Sequence, residues 1–392
     1  MIRTGLDRLL DDAGSLEGRR YGLLTHLAAV TEELVPAHLA LARLPSRPTC
    51  LFGPEHGLSG LAQDMEATGD ALDPWTGLPV VSLYGDDASS LWPDASRFED
   101  IDLLVIDLQD VGARYYTYAA TAVWAARAAA EAGCEVWVLD RPNPLGGLRV
   151  EGNRRGEGLE SFVGAFEHPV VHGLTLGELT KLELAGSDAE AALRVIEMSG
   201  WRRQMTWDRI GRPWSAPSPN MPRFDTAVIY PGLCLVEATV FSEGRGTTRP
   251  FHLVGGPEID SVALAAAMNR RNLPGVRFVP TRFRPEFQKH AGVEVSGVEV
   301  AVTHFDRVEP YRLGVELLLE LSRCPGFGWR TEPYEFVDDR PAIDLLSGDT
   351  ALRRAIEAGE EPGGWIDSWA ADEEAFRRRS EPSLLYDPRS EW

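Results

Sequence analysis

"IDLLVIDLQDVGARYYTYAATAVWAARAAAEAGCEVWVLDRPNPLGG", residues 101–147, is the stretch on which the fold turns. Its flanks "IDLLVIDLQ" (101–109) and "CEVWVLD" (134–140) are apolar runs of strand length. Between them "YTYAATAVWAARAAAEAG" has the Ala-rich composition of a helix and closes on Gly133 as its C-cap. A helix joining two strands at this spacing predicts that the strands lie parallel.

The alternation continues outward. "RRYGLLT" (19–25), "TCLFG" (49–53) and "PVVSLYG" (79–85) read as earlier strands, and "HPVVHG" (168–173) as a later one. "TLGELTKLELAG" then opens a helix on a capping box, Thr175 with Glu178 three residues on. The expected fold class is therefore α/β: a Rossmann-like, doubly wound parallel sheet over residues 1–230. Past residue 200 the pattern changes. "PWSAPSPNMPRFDTAVIYPG" (213–232) is rich in Pro and Ser and reads as a long loop packed over something. "HLVGGPEIDSVALAAAMNRR" predicts a strand and a helix, "GVRFVPTRFRP" and "GVEVAVTHF" strands, and "YRLGVELLLELSR" a helix. These make a smaller α+β domain over residues 231–392. Its charged tail keeps Phe376, Leu384, Leu385 and Tyr386 for docking.

Bulk properties narrow the function. A chain of 392 residues exceeds what one core usually fills. The formal charge of -21, with Lys only at 181 and 289, repels phosphate backbones and anionic lipid, so no nucleic acid and no membrane partner is expected. Cys50, Cys134, Cys234 and Cys324 lie far apart without a C-x-x-C pair, which predicts free thiols. The first twenty residues lack the apolar core of a signal peptide, and no span reaches transmembrane length; the expectation is a cytoplasmic protein. No G-x-G-x-x-G follows a strand and neither lysine sits in a P-loop, so a dinucleotide enzyme is not expected. His56, His172 and Asp140 lack the spacing of metal ligands, and neither cofactor nor metal is predicted.

The strand ends carry the chemistry. They run into "THLA", "GPEHG", "LYGDD", "LQDVGARYYTY", "DRPNPLGG" and "HGLT", and ligands of open α/β sheets sit beyond the carboxyl ends of strands. Glu55, beside His56 after the break at Gly53 and Pro54, is placed where burial would raise its pKa and make it a general acid; the bland alternative is a solvated turn. Asp107 orders the next loop, Gln109 opens a turn, and Asp110 caps the helix on the bland reading. Arg114 and Tyr116 face the crevice on the functional one. Asp140, Arg141 and Asn143 repeat the design, and Glu151 is a second carboxylate candidate. His172 and Asn220 join the binding set. Arg245, between two glycines, with Arg249 four residues on, forms a carboxylate clamp; the alternative pairs Arg245 with Glu243. Ser218 has no nucleophile elbow around it.

Taken together, "GPEHGLSG", "TGLPVVSLYG", "DLQDVGARYYTY", "VLDRPNPLGG", "SFVG", "PVVHGLTLGEL", "PSPNMP", "YPGLCLVEATVFSEGRGTTRPF", "PYRLGVELL" and "IDLLSG" closely resemble the exo-β-N-acetylmuramidases of the NamZ type, from about residue 4 to about 386. The resemblance implies a glycoside hydrolase releasing N-acetylmuramic acid from the non-reducing end of peptidoglycan-derived glycans. It implies a cleft between a Rossmann-like domain and a smaller one, and Glu55 as the acid. The substrate's acetamido carbonyl offers a second catalytic group, with Glu151 and Asp140 as protein candidates, and the lactyl carboxylate gives Arg114, Arg245 or Arg249 a partner. The chain departs from the family pattern at His26, where Asn is usual, and at Ser59, where an arginine is usual. The reading from another class is a non-catalytic binder or sensor of wall sugars that uses the same cleft.

Overall fold

The computed structural model describes residues 2–387 apart from 64 and 86. Among the described residues ten strands form two sheets: β1 (Tyr21–Thr25), β2 (Cys50–Gly53), β3 (Ala71–Leu72), β4 (Pro79–Ser82), β5 (Leu103–Asp107), β6 (Glu135–Leu139) and β7 (Leu193–Ile196) in one, and β8 (Leu253–Gly256), β9 (Val276–Phe283) and β10 (Val295–Val302) in the other. The first sheet runs β3-β4-β2-β1-β5-β6-β7 and is parallel except for β3. The second is antiparallel, in the order β8-β10-β9.

Alternation along the strands explains why the large sheet is covered twice. Leu24, Phe52, Leu104, Ile106, Val136 and Val138 enter one core cluster, while Leu23, Leu51, Leu103, Val105, Trp137 and Leu139 enter another. Helices α1 (Gly5–Asp11) and α2 (Ala37–Ala42) cover the second face. Helices α3 (Tyr118–Glu131) and α4 (Leu176–Leu184) cover the first. Gly133 follows α3 in the left-handed region at φ +84°, and the Thr175–Glu178 capping box opens α4 as expected.

Three sequence expectations change. "HPVVHG" is not a strand: Val171 makes only isolated bridges, to Ala113 and Glu151. The edge strand beyond β6 is β7, whose "LRVI" is only partly buried and so lacks the apolar signal of a central strand. The segment 213–232 is irregular only to residue 223, and then forms α5 (Phe224–Leu233), which spans residue 230. This helix is buried on nearly every side, so no amphipathic period marks it. Its Gly232 meets Gly314 of α7 (Pro310–Ser322) backbone to backbone; helix α6 (Ser261–Arg270) precedes α7. Phe376 and Tyr386 of the tail are buried, and all four cysteines are free. Among the described residues no helix is long and apolar enough to cross a membrane.

The large sheet runs outward from β1 in both directions, so the switch point of the winding lies where β2, β1 and β5 sit side by side. Their carboxyl ends hold the site.

Candidate active site

β2 ends at Gly53, and the turn after it buries Glu55 and places His56 at φ +69°. From β5 the chain passes through Tyr115 and Tyr116 to Thr117, the N-cap of α3. That hydroxyl does not cap its own helix; it donates to Glu55 Oε2 at 2.5 Å. His56 Nδ1 lies 3.0 Å from the Ala62 carbonyl, which only accepts, so Nδ1 carries a proton and donates it there.

Between them is a cavity of about 40 Å³. The Tyr115, Tyr116, Tyr230, Phe251 and Tyr334 rings line it, with Ser218, Asn220 and Met221 from the irregular segment. Tyr116 meets Tyr118 and Tyr230 edge-on, and Tyr230 meets Phe251 the same way. The Tyr115 and Tyr116 hydroxyls are buried and have no partner of good hydrogen-bond geometry among the described residues. Burial pushes both phenols above the ordinary range, so they are donors. Asn220 Nδ2 donates to Gln63 Oε1 at 2.9 Å, holding the irregular segment over the site.

The second half of the chain supplies the far wall. Glu237 accepts from Arg245 Nη2 at 2.7 Å and from the Tyr334 hydroxyl at 2.8 Å. Behind Arg245, Glu243 lies 3.4 Å from its Nε and 2.9 Å from Lys289 Nζ, so two acids and two bases balance in a buried chain. The Arg245 guanidinium also lies 5.1 Å from the Phe251 ring centroid. Glu335 reaches the cavity from a two-residue hairpin turn closed by mutual Tyr334 and Val337 backbone bonds. Both central residues, Glu335 at φ +48° and Phe336 at φ +64°, are left-handed without being glycine. Each costs about 1–2 kcal/mol, the kind of outlier that clusters at functional sites.

The N-terminal model of the exo-beta-N-acetylmuramidase NamZ family matches residues 21–225 and the C-terminal model residues 228–386. The chain belongs to the NamZ family. The peptidoglycan beta-N-acetylmuramidase NamZ of Bacillus subtilis (strain 168) is 38% identical over 387 residues, covering 98% of this chain and 91% of that one. Two crystal structures of DUF1343-family proteins from Bacteroides fragilis NCTC 9343 share the fold. One has a TM-score of 0.85 at 34% identity over 98% of this chain and 99% of its own; the other has 0.77 at 26% over 99% of each.

Within this NamZ-family fold the cavity gathers Glu55, His56, Tyr116, Asn220 and Arg245 of the residues singled out in the sequence, with Glu243 directly behind. The others are elsewhere. Asp107 and Arg141 form a fully buried two-pronged pair at 2.5 and 2.9 Å, with Arg141 also donating to the Val30 carbonyl. Gln109 Nε2 donates to the Asp110 and Pro142 carbonyls, and Asn143 bonds Leu145 and Leu174 backbone groups. Asp110 does not cap α3; it accepts from the Gly112 N–H.

Arg114, expected in the crevice, spends its guanidinium on the Asn153, His168 and Leu346 carbonyls, where it ties two loops to the short helix Ala342–Ser347. Asp140, a candidate for the second catalytic group, is fully buried and accepts from Thr175, Gly177, Arg141 and the Tyr386 hydroxyl, so it anchors α4 and the tail. Glu151, the other carboxylate candidate, accepts from the Arg312 N–H beside a different cavity, lined by Arg149, Asp306 and Trp369. His172 accepts from the Leu174 N–H, and Arg249 pairs with Glu299 at the surface. Asp107 and Arg249 are held in side-chain ion pairs; for the rest the physical reason is that buried backbone groups need polar partners, and these side chains supply them.

His26 is buried under the site and held down to about 3 by burial and the Arg141 charge. The neutral ring accepts the Gln109 N–H on Nε2 at 2.9 Å and faces the Pro217 carbonyl with Nδ1 at 3.3 Å. It stitches β1 to the β5 loop and the irregular segment. Thr117, Tyr230, Glu237, Tyr334 and Glu335 escaped the sequence reading. Glu237 had a signal, a lone acid inside the apolar "LCLVEATVF"; Glu335 had none.

Proposed function

We propose that this protein is an exo-acting glycoside hydrolase that releases N-acetylmuramic acid from the non-reducing end of peptidoglycan-derived glycans, with Glu55 as general acid. The observation that carries the reading is Glu55 itself. It is the carboxyl group at the carboxyl end of a central strand, buried, oriented by Thr117, and turned to a cavity walled by aromatic rings.

The chemistry follows from that placement. Cleavage requires a proton on the leaving oxygen as positive charge develops at the anomeric carbon. Glu55 supplies the proton; the substrate's acetamido carbonyl covers the anomeric carbon. The aromatic walls exclude water from the charge that develops. The Tyr115 and Tyr116 hydroxyls donate to sugar oxygens, which gives the buried Tyr115 hydroxyl a partner and takes Tyr116 from its neighbours Ser218 and Tyr118. Arg245 is the one Arg or Lys lining the cavity among the described residues, and its fork serves the lactyl carboxylate alongside Glu237. The site lies where the two halves of the chain meet, and a cavity of about 40 Å³ holds only roughly three waters, so the halves part to admit a sugar.

The test is hydrolysis of the 4-nitrophenyl β-N-acetylmuramide and of a muramic-acid-terminated disaccharide by wild type and Glu55→Gln, with the nitrophenyl N-acetylglucosaminide as control. The disaccharide, whose leaving oxygen needs a proton, should lose about a hundredfold or more in the variant. A folded Glu55→Gln protein that cleaves the disaccharide at nearly the wild-type rate would remove Glu55 from the acid role.

A further inference from the structure

Next to the catalytic cavity, and sharing His56 with it, is a second cavity of about 400 Å³. Leu58, Leu61, Thr68, Leu72, Pro74 and Ser82 are among the residues that line it. Leu61 is 78% exposed and Leu72 70%, large apolar side chains left in water around a concavity. A hydrophobic wall with a few placed polar groups is the make-up of a small-molecule site.

The two cavities meet at the turn that carries the acid. Glu55 lines the first, and its neighbour His56, turned by a left-handed backbone, lines both. His56 Nδ1 is committed to the Ala62 carbonyl, so Nε2 is the ring nitrogen left to meet a ligand. In glycoside cleavage the acid stands at the scissile oxygen, with one saccharide unit on each side of it. The first cavity is the narrower of the two and is walled by aromatic rings on both sides, so once the halves part it takes the single terminal unit. The unit on the other side of Glu55 must leave toward open solvent.

We infer that the second cavity is the leaving-group subsite: it holds the saccharide unit on the reducing side of the scissile bond. In it, His56 Nε2 meets a hydroxyl while Leu61 and Leu72 cover the C–H face of the ring. This rests on the hydrolase reading of Glu55.

The experiment compares two substrates that differ only in the leaving group, the methyl β-glycoside of N-acetylmuramic acid and the corresponding disaccharide. Ala67→Trp places a bulky ring in the second cavity from an exposed position, and Leu72→Ala removes an exposed part of its wall, so neither touches the core. The ratio of kcat/KM for disaccharide over methyl glycoside should fall about tenfold or more in Ala67→Trp and about threefold in Leu72→Ala, mainly through KM. An unchanged ratio in Ala67→Trp overturns the assignment. Wild type that cleaves neither glycoside overturns the hydrolase reading, and the subsite with it; wild type that cleaves both, with an unchanged ratio, overturns the subsite alone.

Discussion

Thr117 donates its hydroxyl to Glu55 Oε2 at 2.5 Å, joining the N-cap of α3 to the turn after β2 across 62 residues of sequence. The bond fixes which carboxyl oxygen is occupied and which is left to meet the substrate. Thr117→Val keeps the shape and deletes the donor. It should lower kcat about 10- to 100-fold through misplacement of the acid, with KM little changed. Thr117→Ser should restore most of the rate. Equal losses in both variants would point to packing rather than to the hydroxyl.

Arg245 answers to a different part of the substrate. Arg245→Lys keeps a charge beside Glu237 and loses the planar fork. Wild type should prefer the nitrophenyl muramide over its lactyl methyl ester, and the variant should narrow that preference about tenfold. If both substrates lose equally, Arg245 acts only through the Glu237 and Glu243 network.

Glu151 gives a pH test of its reassignment. Burial, the largest cause, pushes its carboxyl from 4.5 up to about 8, while the Arg312 N–H and Arg149 pull the other way. The unfolded chain therefore releases this proton near 4.5, and the folded chain holds it to about 8. Stability from this group is fully present below 4.5 and declines as pH rises to 8. Glu151→Gln should raise Tm at pH 8 by a few degrees and flatten the Tm-against-pH curve between pH 5 and 8, within about twofold of wild-type kcat. Loss of catalysis in a folded Glu151→Gln protein would return this carboxyl to the reaction.

Gly232 is where α5 crosses α7 at backbone contact. A Cβ there would collide with the Pro310 carbonyl and Gly314. Gly232→Ala should cost about 1–3 kcal/mol, read as a lower denaturation midpoint with an unchanged slope. An unchanged midpoint would mean the helices separate without penalty.

How far the sequence reaches can be judged residue by residue. The strands β1, β2, β5 and β6 were visible because each is buried on both faces and so is apolar without interruption. β7 and α5 were not, the first for being half exposed at an edge, the second for being buried all round. Glu55 stood out because a buried strand breaks at Gly53 and Pro54 directly before an acid. Arg114, Asp140 and Glu151 stood out for the same kind of reason and serve as structural anchors.

The sequence by itself determined the layered α/β fold, since alternation and helix caps are local, and placed Glu55 at the end of a central strand. Only the tertiary structure decided which polar strand ends face the cavity. That choice depends on where the second half of the chain lies down: it brings Glu237, Arg245, Tyr334 and Glu335 opposite Glu55 from more than 180 residues away. A carboxylate in a loop reads the same whether its partner is a backbone N–H or a sugar. Burial and the positions of distant donors separate the two, and both are properties of packing.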